Sequence, residues 1–286
     1  MSNIKILEIY KRFYNFAGGR GFARFPFIRA INNYVLFKLK PAEIIVDGDR
    51  IILDKYDALR LSINKNYESV IKRLVKEKIE KGDTVLDIGA NIGYYTLIFA
   101  RLAGDSGCVF AFEPEPNNFK LLKKNIECNN YRNVTLEPLA VSDKSKRMRL
   151  CFNRNNQADN RLIDSSMPNS IDVGAISLDD YFKDYSGKID FVKIDAQGAE
   201  AGIIKGMEGI LLQNNNIKLL VEFWPFGLKY CGSNANLFLE LLSGYGFDFY
   251  EIRSTNDQLV RTSAKVLLDT YTEEKQNFTN LFCLRV

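Results

Sequence analysis

Residues 84–93 read Thr84-Val85-Leu86-Asp87-Ile88-Gly89-Ala90-Asn91-Ile92-Gly93. A short apolar run with β-branched residues meets an acid, then two glycines, and a helical pattern runs on from Gly93 to Leu102. That order predicts a buried strand, a tight turn and a helix start. Gly89 lets the backbone turn without a Cβ, and Gly93 is expected to let the helix start lie against a ligand. A helix N-terminus offers free N–H groups to an anion. A dinucleotide loop would carry a second glycine where Asn91 stands, and a pyrophosphate would be repelled by Asp87. The turn is therefore expected to face a ligand with a cation near Asp87 and a carboxylate near the loop amides.

Outward from this loop the pattern alternates. Strands are expected over 84–88, 108–112, 133–137 and 189–194, with helices over 70–80, 93–102 and 116–129. Val109-Phe110-Ala111-Phe112 is continuously apolar, as in a strand buried on both faces. Alternating strands and helices give βαβ units and a parallel sheet. Further strands over 217–223, 247–252 and 280–285 make seven, with helices over 200–212 and 234–243 and short strands over 147–152 and 171–177. The expected fold is α/β: a Rossmann-like, mostly parallel seven-stranded sheet with helices on both faces. Phe112-Glu113-Pro114 closes the second strand 24 residues after Gly89. A carboxylate there can accept both hydroxyls of a ribose. An amino-acid sulfonium joined to a nucleoside meets all three demands.

Residues 1–68 read as an extension and 69–286 as the main domain. In residues 1–40, eight Lys and Arg face one acid, Glu8, with aromatic residues interleaved. The first stretch, around Ile4–Tyr14, reads as an amphipathic basic helix. It either packs on the main domain or makes a peripheral membrane, acceptor or oligomer contact. Residues 43–54 place two β-rich runs around Asp47-Gly48, a hairpin signal. The polar stretch 153–170 is a long loop, expected to carry acceptor choice.

Composition removes whole classes. There is no histidine among the 286 residues, which excludes Ser-His-Asp and Cys-His catalysis and His-ligated zinc. The net charge of +4 is too mild to point to nucleic acid. No run is long and apolar enough for a membrane span, and the N-terminus lacks the apolar core of a secretory signal. The five cysteines lie outside metal-ligand spacing, so reduced and mostly buried thiols in a cytoplasmic protein are expected, with no metal.

The segment Asp87-Ile88-Gly89-Ala90-Asn91-Ile92-Gly93-Tyr94-Tyr95-Thr96, then Phe112-Glu113-Pro114, resembles class I S-adenosylmethionine-dependent methyltransferases. Asn66-Tyr67-Glu68, Leu139-Ala140-Val141-Ser142-Asp143, Ile176-Ser177-Leu178-Asp179-Asp180-Tyr181 and Val192-Lys193-Ile194-Asp195-Ala196-Gln197-Gly198-Ala199-Glu200 narrow the resemblance to the FkbM family. It runs over about residues 45–286. One departure is Gln197, where many members carry Glu. The resemblance implies S-adenosylmethionine as cofactor. It places donor contacts on Glu68, Asp87, Gly89, Ala90, Asn91, Gly93, Thr96, Glu113, Pro114, Ala140, Val141, Ser142 and Asp195. It also implies O-methylation of a small-molecule, sugar or glycan acceptor. A nicotinamide-dependent oxidoreductase and a non-catalytic nucleoside-binding module are the alternatives.

Methyl transfer to a hydroxyl needs alignment and a proton acceptor. Without histidine the candidates are carboxylates or a lysine. Asp195 ends an apolar strand at the edge where open α/β sheets bind ligands, and is the first candidate base. It could instead cap the helix that follows. Lys193, two residues earlier on the same face, either orients the acceptor or forms an ion pair. Glu222 ends the next strand and is expected near Asp195, which would raise one of the two pKa values. Glu200, at a helix start, ranks below Asp195. Trp224 either stacks on an acceptor or covers the sheet.

Overall fold

The computed structural model describes residue 10 and residues 26–64, 68–151, 161–163, 170–253 and 258–285. The chain divides into two compact units, Met1–Tyr67 and Glu68–Val286. The expected helix near Ile4–Tyr14, the motif residues Asn66 and Tyr67, and most of the loop 153–170 lie outside the described residues.

In the first unit, helix α1 (Pro26–Leu39) precedes strands β1 (Glu43–Val46) and β2 (Asp49–Ile52). The strands pair antiparallel, with Val46 opposite Asp49. Asp47 and Gly48 both take positive φ, 51° and 96°, as a two-residue hairpin turn requires. Ile31, Tyr34 and Phe37 of α1 are exposed.

The second unit is built on an eight-stranded sheet. It contains β3 (Thr84–Ile88), β4 (Cys108–Phe112), β5 (Val134–Glu137), β10 (Phe191–Ile194), β11 (Lys218–Phe223), β12 (Phe247–Arg253), β13 (Gln258–Thr262) and β14 (Thr279–Arg285). Their spatial order is β13-β12-β14-β11-β10-β3-β4-β5. The run from β11 to β5 is parallel, while β14 pairs antiparallel with β11 and β12, and β13 antiparallel with β12. All seven expected strands are present. The eighth, β13, has mostly exposed side chains and lies at the sheet edge, so it lacks the apolar signature of the others.

Every residue of β3 and β10 is buried, so both faces of the sheet centre are covered. Phe99, Phe112, Phe191, Phe223, Phe238 and Phe282 are fully buried. The helix expected over 200–212 is two helices, Glu200–Lys205 and Glu208–Gln213. The break falls at Gly206, where a Cβ would lie 2.1 Å from the Ser142 carbonyl oxygen.

A second sheet of four strands, in the order β6-β9-β7-β8, holds β6 (Ala140–Val141), β7 (Lys146–Cys151), β8 (Arg161–Ile163) and β9 (Ser170–Ile176). β7 and β9 were legible in the sequence, whereas β8 falls inside the stretch read as loop. The five cysteines are free, but Cys283 alone is fully buried and Cys108, at the start of β4, is exposed. Among the described residues, no helix is long and apolar enough to cross a membrane.

Candidate active site

The chain leaves β3 toward β4 and β5 on one side, and later returns to β10 and β11 on the other. The carboxyl ends of β3 and β10 thus form the point where strand order reverses, and an open sheet gapes there. The Asp195 amide donates to the Ile88 carbonyl at 3.0 Å, which ties the two strand ends together. Gly89 takes φ 79°, and a Cβ on it would stand 2.0 Å from the Asp195 carbonyl oxygen. The turn passes so closely over β10 that it has no room for a side chain.

The loop amides do not await an anion. Gly89 and Ala90 both donate to the Phe112 carbonyl at 3.0 Å, and Gly93 donates to the Ala90 carbonyl at 2.9 Å. Asn91, at φ 52°, donates its amide to Glu113 Oε2 at 2.8 Å, and Ile92 donates to Asn91 Oδ1 at 2.8 Å. The expectation of a ligand carboxylate on amides 89–93 is corrected accordingly: those donors are satisfied within the chain. Gly93 is also demanded by packing rather than by a ligand. Its φ is 93°, and a Cβ would meet Leu122 Cδ1 at 2.7 Å.

Glu113 accepts from Asn91 through Oε2 and from the Glu115 amide through Oε1, both at 2.8 Å. It therefore braces the loop, with one further lone pair on each oxygen. Burial pushes its pKa up to about 7. Pro114 follows it, leading to the helix Pro116–Cys128.

Asp87, fully buried, accepts from Thr96 Oγ1 at 2.6 Å. Burial raises its pKa, partly countered by Lys193 and Thr96. Its other oxygen, Oδ1, is buried without a hydrogen-bond partner among the described residues; Lys193 Nζ is 3.9 Å away. Lys193 also reaches Asp195 Oδ2 at 3.3 Å and sits 5.1 Å over the Tyr95 ring. Burial acts to lower its pKa, but Asp195, Asp87 and Glu68 outweigh that and raise it. The Tyr95 hydroxyl donates to Glu68 Oε2 at 2.5 Å.

Three candidates, Asp195, Glu222 and Glu200, converge with Gln197 at the next strand ends. Gln197 Nε2 donates to Asp195 Oδ1 at 2.8 Å and to Glu222 Oε2 at 3.4 Å. Burial first, and then the charges of Asp195 and Glu200, push the Glu222 pKa well up. Glu200 accepts from the Ala196 and Gly198 amides at 3.0 and 3.1 Å, so it braces the turn from beneath. Its Oε2 is buried without a hydrogen-bond partner among the described residues, and burial pushes its pKa up to about 7. Asp195 differs from these neighbours: its side chain is 37% exposed, whereas Asp87, Lys193, Glu200 and Glu222 are all buried.

The expected donor contacts Ala140, Val141 and Ser142 are placed differently. Ala140 and Val141 form β6, and their side chains belong to the two hydrophobic cores. Ser142 Oγ donates to Asp143 Oδ1 at 3.0 Å. Sequence reasoning passed over Gln197 as a functional group. Its amide joins two acids that a glutamate there would repel. The signal was the departure from Glu in an otherwise matching motif. Among the described residues, no group of three or more Cys, Asp or Glu could hold a metal ion.

The raised carboxyls carry a stability consequence. Glu113 and Glu200, near 4.5 when unfolded, hold their protons to about 7 in the folded chain. Between those values the folded state binds more protons, so their contribution grows as pH falls and is lost as pH rises through 7. Thermal unfolding of the ligand-free chain is expected at least about 3 °C higher near pH 5.5 than near pH 8. Glu200→Gln should flatten that slope; an unchanged slope would remove Glu200 as its source.

A buried Asp87 oxygen that accepts no hydrogen bond from the described residues, beside four further acids and one lysine, suits a cationic donor group, and Glu113 keeps lone pairs for hydroxyls. Residues 87–253, more than half of the chain, match the Methyltransferase FkbM domain. The chain belongs to that family. Membership in the FkbM methyltransferases implies S-adenosylmethionine as the methyl donor and sets aside the nicotinamide alternative.

Hexuronic acid methyltransferase AglP of Haloferax volcanii is 31% identical to this FkbM chain over 151 residues, 52% of this chain and 59% of that protein. A protein-L-isoaspartate O-methyltransferase of Methanococcoides burtonii is 41% identical over 59 residues, 21% of this chain and 29% of that protein. The chain thus spans about three fifths or less of these relatives. A solved FkbM methyltransferase from Methylobacillus flagellatus superposes with TM-score 0.43 at 13% identity, over 77% of this chain and 54% of that one. A precorrin-6y C5,15-methyltransferase from Geobacter metallireducens gives 0.44 at 14%, over 86% of this chain and 100% of that one.

Proposed function

We propose that this FkbM chain moves a methyl group from S-adenosylmethionine to a hydroxyl of a sugar, glycan or small metabolite, with Asp195 accepting the hydroxyl proton. The observation that carries the reading is the contrast at the switch point. One carboxylate is open to an acceptor, while Asp87, Glu200 and Glu222 are buried. The hexuronic acid methyltransferase relative supports a sugar acceptor.

When bound, the donor supplies a methyl group that is already electrophilic, so the chain's main contribution is alignment. Asp87 and Glu68 would hold its cationic end, and Glu113 its hydroxyls, with the loop 89–93 as a rigid floor. Lys193 and Gln197 each donate to a different Asp195 oxygen, which fixes the carboxylate plane. Glu222, with its pKa raised, stays protonated to higher pH than an ordinary carboxyl and keeps a second full charge away from Asp195. The unit Glu68–Val286 would carry the reaction, one residue longer than the expected 69–286 because Glu68 belongs to it, with the residues before it as an extension.

Two measurements test this. Calorimetry with S-adenosylhomocysteine should give micromolar binding, and NAD should give none. Tritium transfer from labelled donor to pooled glycans should then yield base-stable, ether-linked label. Binding without transfer to any hydroxylated acceptor would leave a nucleoside-binding module instead.

A further inference from the structure

Helix α1 packs one stripe and leaves a second bare. Ile28, Val35 and Leu39 share a face at helical spacing and are half-buried, and Leu39 packs against the buried Ile63. Ile31, Tyr34 and Lys38 share the neighbouring face, where Ile31 is 59% and Tyr34 63% exposed. Phe37, one turn on from Tyr34, is exposed too. The bare face is therefore not the one that packs against Ile63.

The segment after β2 extends it. Tyr56 is exposed, and its ring centroid lies 5.9 Å from that of Phe37, with the planes 33° apart. Two ammonium groups stand over these rings. Lys55 Nζ is 5.2 Å from the Tyr56 centroid and 5.8 Å from that of Phe37, and Lys38 Nζ is 5.9 Å from both Tyr34 and Phe37. Single exposed apolar side chains are ordinary, but a contiguous set edged by one sign of charge marks an interaction surface.

Charge decides what that surface meets. Residues 1–40 carry eight Lys and Arg against the single acid Glu8. Several of the acids that follow are already engaged. Glu43 is paired with Arg50, buried Asp54 accepts from the Tyr56 and Ala58 amides, and buried Asp57 accepts from those of Leu61 and Ser62. A second copy of the chain seated here would set like charges against each other. A nucleic acid would meet the lysines and rings but leave Ile31 without a role. A bilayer with anionic headgroups takes every part: the ammoniums meet the headgroups, the tyrosine rings sit at their level, and Ile31 reaches the acyl boundary.

We propose that the α1 face formed by Ile31, Tyr34, Phe37 and Lys38, with Lys55 and Tyr56, docks on an anionic lipid bilayer and holds the chain at its surface. The helix lies in the headgroup plane and does not cross it. Its 14 residues extend about 21 Å, short of a hydrocarbon core of about 30 Å.

The full chain is sedimented with vesicles of phosphatidylcholine alone and with vesicles of phosphatidylcholine and phosphatidylserine at about 3:1. Binding to the anionic vesicles should be saturable, at least about tenfold tighter than to the neutral ones, and weakened by salt. Lys38→Gln combined with Lys55→Gln should weaken it about tenfold. Ile31→Ser combined with Tyr34→Ser should weaken it by a similar factor, about tenfold, yet keep the preference for phosphatidylserine. Both pairs alter exposed side chains, and circular dichroism melting compares their folding with that of the parent chain. No vesicle binding, equal binding to both lipids, or either variant binding like the parent would overturn the proposal. So would a dimer, in place of vesicle binding, that Ile31→Ser and Tyr34→Ser dissolve in sedimentation velocity, which would give the face to a second copy. Retention of a mixed-sequence RNA in place of vesicles would overturn it as well.

Discussion

Asp195→Asn is expected to lower methyl transfer by about 10²–10⁴-fold while leaving S-adenosylhomocysteine affinity nearly unchanged. The substitution keeps the side-chain shape and one oxygen for Gln197, so the 195–199 turn retains its braces from Glu200. What it removes is the site's exposed proton acceptor, and it sets an amide donor against Lys193. Lys193 would then keep Asp87 and Glu68 as its acids. A second consequence separates this role from a structural one. After burial, the charge of Asp195 is the next cause of the raised Glu222 pKa, so Asp195→Asn should lower that pKa while burial still holds it above the ordinary carboxyl range. Transfer rates and a pH titration of Glu222 by NMR check both parts. Full activity together with normal donor binding would remove Asp195 from the reaction.

The contrast between Asp195 and its neighbours was only partly legible in the amino-acid order. Its place at a strand end followed from the apolar run Phe191–Ile194, and Glu222 was expected beside it because adjacent parallel strands end together. Their exposures were not legible. Those depend on the helix Pro225–Tyr230 closing over Gly198, a contact between backbones that no periodicity announces. The glycine loop shows the same division. Its turn was plain from Gly89 and Gly93, but its amides are satisfied by Phe112 and Glu113, from the next strand. A loop read alone therefore looks like an empty anion site. The packing of Arg161 of β8 was hidden for a different reason: it stands in a polar, Asn-rich stretch, and the Trp224 and Tyr230 rings it covers come more than sixty positions later. Strand β13 lacked a signal because one edge strand with exposed side chains has no apolar face to declare it.

Gly89→Ala is expected to cost about 3–5 kcal/mol of folding stability, adding backbone strain to steric overlap. The position has φ 79°, and the new Cβ would fall 2.0 Å from the Asp195 carbonyl oxygen and 3.0 Å from its carbon. Both obstructing atoms are main chain in the centre of the sheet, so no rotamer change relieves them. Gly246 is a matched control. It has φ 81°, and a Cβ there would have nothing within 4 Å, so Gly246→Ala should show backbone strain alone, about 1–2 kcal/mol. Urea unfolding of both variants measures the difference, which isolates the approach of the loop to Asp195. Equal losses would mean that β3 and β10 are not held this close at their carboxyl ends. That closeness is also what gives Asp195 its position, since the Ile88 carbonyl takes its amide proton. Any Gly89→Ala chain that still folds should therefore lose transfer as well as stability, because the methyl at residue 89 can be admitted only by displacing the residue proposed to accept the proton.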